Sequence, residues 1–337
     1  MKRFLVIRTD KIGDVILTLP VITNIRLAYP DAFIGFLARE YTKKILEENP
    51  HLSDVIFYDP EAKHKGIKGV LRLAKMLKSY NFDASITVFP TFNVALALFL
   101  AKIPVRIGVG YRWYSFLFNK KEYFHRSRVE KHELEYNLDL LKPLGVEVKD
   151  KNIKIYLGKK DIEFADDFLK KNNINTTKPM IGIHPRIAKK GLNWDIGNFA
   201  ELINSLSNDF SIILFEGKGE EKITEEVLSK TKNKPNVLKG DADIKQMAAV
   251  ISKLKVFVSG DTGTMHVAAS VGTPTVSLFC PIFVLSPKRW GPWGNKSIAI
   301  LPEVPGCNKC KYESCKHYNC MNLITVDLII SKIKEML

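Results

Sequence analysis

The chain has 337 residues, 46% of them hydrophobic and 26% charged, with a formal net charge of +15. Such a length exceeds one ordinary hydrophobic core and implies two domains, and the composition excludes a disordered or fibrous chain. A charge this positive calls for an anionic partner: nucleic acid, an acidic membrane surface or a phosphorylated substrate.

In Met1-Lys2-Arg3-Phe4-Leu5-Val6-Ile7-Arg8 charge interrupts the apolar run too early for a signal peptide. Phe4 to Ile7 reads as a first strand, and Arg8-Thr9-Asp10-Lys11-Ile12-Gly13-Asp14 as a polar turn. Helical periodicity follows from Val15 to Ala28, with Pro20 placed to kink or restart the helix. Strands are predicted at 32–37, 54–58 and 84–89, and helices at 42–48 and 69–79. The most apolar stretch, Val94 to Ala101, is much shorter than a bilayer span. A cytoplasmic protein is expected, with peripheral membrane attachment left open. After the polar run Lys170 to Pro179, which reads as a linker, the alternation resumes with strands at 180–184, 211–215 and 236–238. Helices are predicted at 198–207, 220–230 and 244–254, and an amphipathic helix at 324–337 closes the chain. Strands alternating with helices imply parallel sheets covered on both faces.

Val256-Phe257-Val258 is a continuous apolar run suited to a strand buried on both faces. It leads into Ser259-Gly260-Asp261-Thr262-Gly263-Thr264-Met265-His266, a tight polar turn opening a helix of small residues. Asp261 or Thr262 can cap that helix, and its first amides together with the helix dipole suit a phosphate. An ordinary βαβ crossover explains the same pattern. The glycine fingerprints of dinucleotide-binding and P-loop proteins are both missing. Asp14, at the carboxyl end of the first strand, is either a helix N-cap or a general base for a hydroxyl.

The stretch Ile7 to Pro20 resembles the opening motif of the ADP-heptose:lipopolysaccharide heptosyltransferases. Gly260 to His266, with Gly272-Thr273-Pro274, is similar to the second signature of that family. The resemblance spans essentially the whole chain. It implies an α/β chain of GT-B type, two Rossmann-like domains facing across a cleft, with acceptor in the first and ADP-sugar in the second. The domains implied are 1–156 for acceptor, 157–178 connecting, 179–320 for the nucleotide sugar, and 321–337 a helix packing back toward the first domain. Glycosyl transfer is then inverting, with Asp14 as base and no cofactor or metal in catalysis. Amides of Thr262, Gly263 and Thr264 would stabilise the departing diphosphate. Asp261 matches a family residue near the donor sugar, and His266 either faces the same turn or is a hydrogen-bonded core histidine. The family's phosphate-binding lysine would stand where this chain has Leu192, so Lys189 and Lys190 are the candidates. Glu220 or Glu221 would meet the ribose, and the backbone near Ala242 the adenine.

The acceptor would be lipopolysaccharide inner core at the inner membrane surface. Its candidate contacts are Thr9, Gly13, Lys65, Arg106, Arg128 and Lys131, within a basic group that also holds Lys63, His64, Lys68, Arg112, Lys120, Lys121 and Arg126. Trp113, Phe116 and Phe118 are assigned to core packing in preference to the membrane interface. Cys307, Cys310, Cys315 and Cys320 form a dense cluster open to zinc, disulfides or free thiols, and Cys280 reads as a buried thiol. A monomer is expected. Two other functions compete: a GT-B relative acting on another nucleotide sugar, including an epimerase, and a basic nucleic-acid-binding protein, for which no recognition motif is present.

Overall fold

The computed structural model describes residues 2–186, 193–294 and 296–337. Two compact units divide the chain, Met1–Tyr156 and Leu157–Leu337.

In the first unit the order is β1 (Arg3–Ile7), α1 (Ile12–Ile16), α2 (Leu19–Ala28), β2 (Phe33–Ala38), α3 (Lys43–Leu46), β3 (Asp54–Phe57), α4 (Gly66–Ser79), β4 (Ala84–Thr87), α5 (Phe92–Leu100), β5 (Val105–Val109), β6 (Lys120–Glu122) and α6 (Glu133–Asp139). Its sheet runs β3-β2-β1-β4-β5-β6 with every pair parallel. Phe4, Leu5, Val6 and Ile7 are all fully buried, as a central strand covered on both faces requires. Pro20 does restart the helix, standing in the first turn of α2, where its missing N–H costs nothing. The apolar stripe of α4 (Val70, Leu73, Ala74 and Leu77) packs beside α5 in one core.

The second unit contains α7 (Lys159–Lys171), β7 (Met180–His184), α8 (Ile196–Leu206), β8 (Ser211–Phe215), α9 (Glu221–Lys230), β9 (Asn236–Leu238), α10 (Ile244–Ser252), β10 (Val256–Gly260), α11 (Gly263–Ser270), β11 (Thr275–Leu278), α12 (Pro287–Trp290), β12 (Ser297–Ile300) and α13 (Val326–Lys334). Its parallel sheet runs β12-β11-β10-β7-β8-β9. Each sheet therefore reverses its winding between its first and fourth strands. In doubly wound sheets ligands bind at that switch point, at the carboxyl edge. The first switch point holds the turn after β1. The second holds the turns after β7 and β10.

Several elements differ from the sequence reading. The segment expected to link the halves is largely helical: α7 packs on α10 within the second unit, burying Ala165 and Leu169 one turn apart. Charge on the rest of its surface disguises that short stripe. β6 (Lys-Lys-Glu) escapes hydrophobic patterning because an edge strand tolerates charge. α13, expected to pack back toward the first domain, buries Val326, Ile329 and Ile333 against α8 and β11 of the second unit. Beside it, Trp194 Nε1 donates to the Ile324 carbonyl at 2.7 Å. Trp113 and Phe116, assigned to core packing, are 73% and 69% exposed, whereas Phe118 is buried. Among the described residues no helix is long and apolar enough to cross a membrane.

If α13 is an integral part of the second core, Ile329→Ala should cost about 2–5 kcal/mol by cavity formation. The measurement is the urea midpoint of unfolding; an unchanged midpoint would show that the helix is only loosely attached.

Candidate active site

The polar turn after β1 is organised by Arg8, whose side chain is 2% exposed. Its Nε donates to Asp10 Oδ1 at 2.6 Å and its Nη2 to Asp10 Oδ2 at 2.9 Å. The same Nη2 donates to Asp14 Oδ1. Nη1 reaches Glu133 Oε1 at 3.3 Å and Asn137 Oδ1 at 3.4 Å, both on α6. Arg126 joins from the other side, its Nε 3.2 Å from Glu133 Oε1 and its Nη2 donating to Asn137 at 3.0 Å. Asn137 closes the group by donating to the Leu17 carbonyl at 3.0 Å.

Asp14 is not an N-cap. It lies inside α1, whose cap position is Lys11. Burial pushes its carboxyl up to about 6; Arg8 opposes that rise, while Asp10 and Glu133 add to it. Burial disfavours the Arg8 charge too, but Asp14, Asp10 and Glu133 outweigh it and raise the guanidinium above its ordinary range. A carboxyl that titrates near neutrality beside a permanent cation is suited to exchanging a proton with a bound hydroxyl.

In the second unit Thr262 takes the cap position of α11 in extended backbone, and its hydroxyl makes no capping bond to a first-turn amide. Instead Thr262 Oγ1 lies 2.7 Å from Thr264 Oγ1, which lies 2.8 Å from His184 Nδ1. His184 Nε2 is 2.9 Å from Glu220 Oε2, and that oxygen also accepts from the Gly217 amide at 2.8 Å. Arg186 Nε stands 3.2 Å from Glu220 Oε1. Burial works against the Glu220 charge, but His184, the Gly217 amide and Arg186 together hold its carboxyl below the usual range. Arg186, Asp261, Thr262, Trp194, Cys280 and Met321 line a cavity at this carboxyl edge.

Of the other donor-side candidates, His266 is buried within α11. Glu221 accepts from the Gly219 amide at 3.2 Å and is exposed. Ala242 is half-buried in the bend before α10, and the preceding Gly240 lies against Gly217: a Cβ there would fall 2.8 Å from its carbonyl. Lys189 and Lys190 lie outside the described residues. Arg186, His184, Arg8, Glu133 and Asn137 had no role in the sequence reading. Proximity to a turn residue was the only available hint, and only for Arg8 and Arg186.

On the acceptor side Thr9 and Gly13 are buried in the Arg8 turn. Lys65 is exposed at the start of α4 after β3. Arg128 is exposed beside Glu130, and Lys131 pairs with Asp139 at 2.7 Å. Two members of the basic group are structural instead. Arg106 donates to the carbonyls of Leu117 at 2.8 Å and Ile103 at 2.6 Å, level with Leu5 and away from the carboxyl edge. His64 is buried, stacked on Tyr58, and accepts from the Asp59 amide at 3.0 Å. Cys307, Cys310, Cys315 and Cys320 form no disulfide with one another; among the described residues no three His, Cys, Asp or Glu side chains are grouped to hold a metal. Cys280 is half-buried against the donor-side cavity.

Two doubly wound units, each with a polar group at its switch point, are the GT-B glycosyltransferase fold. The chain superposes on a family 9 glycosyl transferase from Veillonella parvula with TM-score 0.87 at 21% identity, covering 99% of this chain and 97% of that one. It superposes on the E. coli heptosyltransferase WaaC with ADP with TM-score 0.75 at 21% identity, over 99% and 100% of the two chains. In sequence it is 26% identical to the lipopolysaccharide core heptosyltransferase OpsX of Haemophilus influenzae, over 99% of this chain and 97% of that protein. Identity to lipopolysaccharide heptosyltransferase 3 of Escherichia coli is 28%, over 85% and 84%. The family model of glycosyltransferase family 9 (heptosyltransferase) matches residues 70–320. The chain belongs to that family and is a glycosyltransferase.

Arg8 neutralises buried carboxylates, so Arg8→Leu should lower stability at pH 7 by about 3–5 kcal/mol. Part of that loss should return as the pH falls and Asp14 takes up a proton, since the protonated carboxyl needs no counter-charge. Denaturation midpoints at pH 7 and pH 5 check both the loss and its sign.

Proposed function

We propose that this enzyme transfers L-glycero-D-manno-heptose from ADP-heptose to the inner core of lipopolysaccharide, with inversion and with Asp14 as general base. The observation that carries the reading is the buried Asp14 carboxyl, held on Arg8 and raised to about 6. Its support from relatives is their named substrates: two of them are lipopolysaccharide heptosyltransferases, and WaaC structures hold ADP and ADP-2-deoxy-2-fluoro heptose.

In this reading Asp14 takes the proton of an acceptor hydroxyl as its oxygen bonds to the anomeric carbon. The bond from that carbon to the diphosphate oxygen breaks, and ADP leaves with the electron pair. The negative charge that gathers on the diphosphate meets the start of α11 and the Arg186 guanidinium, which lines the cavity beside Thr262. No step calls for a metal ion. Glu220 is already engaged by His184, Gly217 and Arg186, so it serves the donor site through them more than by direct hold on the ribose.

Peripheral contact with an anionic inner leaflet accords with the aromatic surface of the first unit. Trp113 stacks on Phe92 at 4.9 Å, Phe116 stands exposed nearby in sequence, and around them in the chain Arg112 and Lys120 are exposed and Lys121 is half-buried. Exposed aromatics with basic neighbours suit the headgroup level of an acidic bilayer.

Asp14→Asn should reduce kcat by about 10²–10⁴-fold while leaving ADP affinity intact. In the wild type, kcat/KM should fall as the pH drops below about 6, where Asp14 becomes protonated. Undiminished turnover in the variant, or a flat profile, would remove the base assignment. For the membrane, the double variant Trp113→Ala/Phe116→Ala should cosediment less with phosphatidylglycerol vesicles and keep its turnover on a soluble acceptor; equal cosedimentation would rule the patch out.

A further inference from the structure

The chain Thr262–Thr264–His184–Glu220 is a single line of hydrogen bonds with one proton per link, so its direction can be worked out. Glu220 is an acceptor only, because its carboxyl is held ionised by the Gly217 amide, His184 and Arg186. Nε2 of His184 must therefore carry a proton. In neutral imidazole Nδ1 is then a lone pair, so the Thr264 hydroxyl donates to it at 2.8 Å. Thr264 Oγ1, its proton committed, accepts from Thr262 at 2.7 Å. Every hydroxyl proton in the line points toward the imidazole, and Thr262, which lines the cavity, has no hydroxyl proton left to offer a ligand there. That polarity repels an anion.

Protonating His184 reverses the line. Nδ1–H donates to Thr264, Thr264 donates to Thr262, and the Thr262 hydroxyl proton is released toward the cavity. We propose that His184 is a positioning residue that takes up a proton when a diphosphate binds, turning the Thr264–Thr262 hydroxyls from acceptors into donors for it. The proposal rests on reading the turn at Thr262 as the diphosphate site.

The surroundings suit this coupling. His184 is 1% exposed and lies level with Ser259 of β10. Glu220, at the cap position of α9, faces His184 Nε2 at 2.9 Å, and Arg186, two residues past the end of β7, holds the other Glu220 oxygen. Glu216 follows β8 and Asp261 follows β10, the strands on either side of β7, and α11 contributes His266. An arriving diphosphate adds negative charge at the far end of the line, and linkage requires its affinity to rise with His184 protonation.

The test is calorimetric titration of the full chain with ADP-heptose, whose diphosphate diester has no titrating group near neutrality. It is run between pH 7 and 8.5 in buffers of differing ionisation enthalpy. The expected result is net uptake of up to one proton per ligand, with affinity falling as the pH rises, by as much as about tenfold per pH unit. Thr264→Val, which breaks the line but leaves Asp14 and Glu220 in place, should bind more weakly and take up none. Binding without proton uptake in the wild type would overturn the relay and leave the proposed function standing, as would uptake that persists in Thr264→Val. No binding of ADP-heptose at all would overturn both.

Discussion

A guanidinium with no access to water sits among Asp10, Asp14 and Glu133 at the end of the central strand of the first sheet. Removing any one of these charges from water costs several kcal/mol, and only mutual neutralisation with well-placed hydrogen bonds returns that cost. Arg8 provides it by spreading its donors over three carboxylates and the Asn137 amide oxygen. The turn's shape goes with that pairing: α1, starting at Ile12, carries Asp14 back onto Arg8. α6, distant in sequence, is tied to the same point through Glu133 and Asn137.

For the proposed base role of Asp14, incomplete neutralisation is useful. Three carboxylates face Arg8, and burial raises that of Asp14 to about 6. A strongly paired aspartate would be too weak a base, and an unpaired buried one would stay protonated. Holding the group between these limits places its titration close to the pH at which a cell works.

The second unit solves a different problem with hydroxyls. In the proposed reading its switch point receives an anion, and a fixed cluster of cations there would be costly to bury when empty. A helix start, one half-exposed arginine and a line of neutral hydroxyls avoid that cost, because their charge is partial or can be reoriented. Glu220 anchors both Arg186 and His184, so the cation and the line of hydroxyls share one carboxylate.

The sequence alone determined the alternation of strands and helices, the two-fold division, and the turns at Arg8–Asp14 and Gly260–His266, because apolar runs and glycine placement are local properties. Asp14 and Thr262 stood out for the same reason: each belongs to a polar stretch that follows a strand. What only the tertiary structure decided is which side chains those turns meet. Glu133 and Asn137 lie far along the chain from Arg8, and His184 is separated from Thr264 by two intervening βα units. A charged helix residue or a histidine at a strand end looks the same in sequence whether it faces water or a buried partner. Arg106 and His64 show the converse, basic residues whose composition suggests a ligand and whose neighbours turn out to be backbone carbonyls and an amide. Parallel sheets bring together strand ends that are remote in sequence, and so a doubly wound fold assembles its chemistry from contacts that no local pattern encodes.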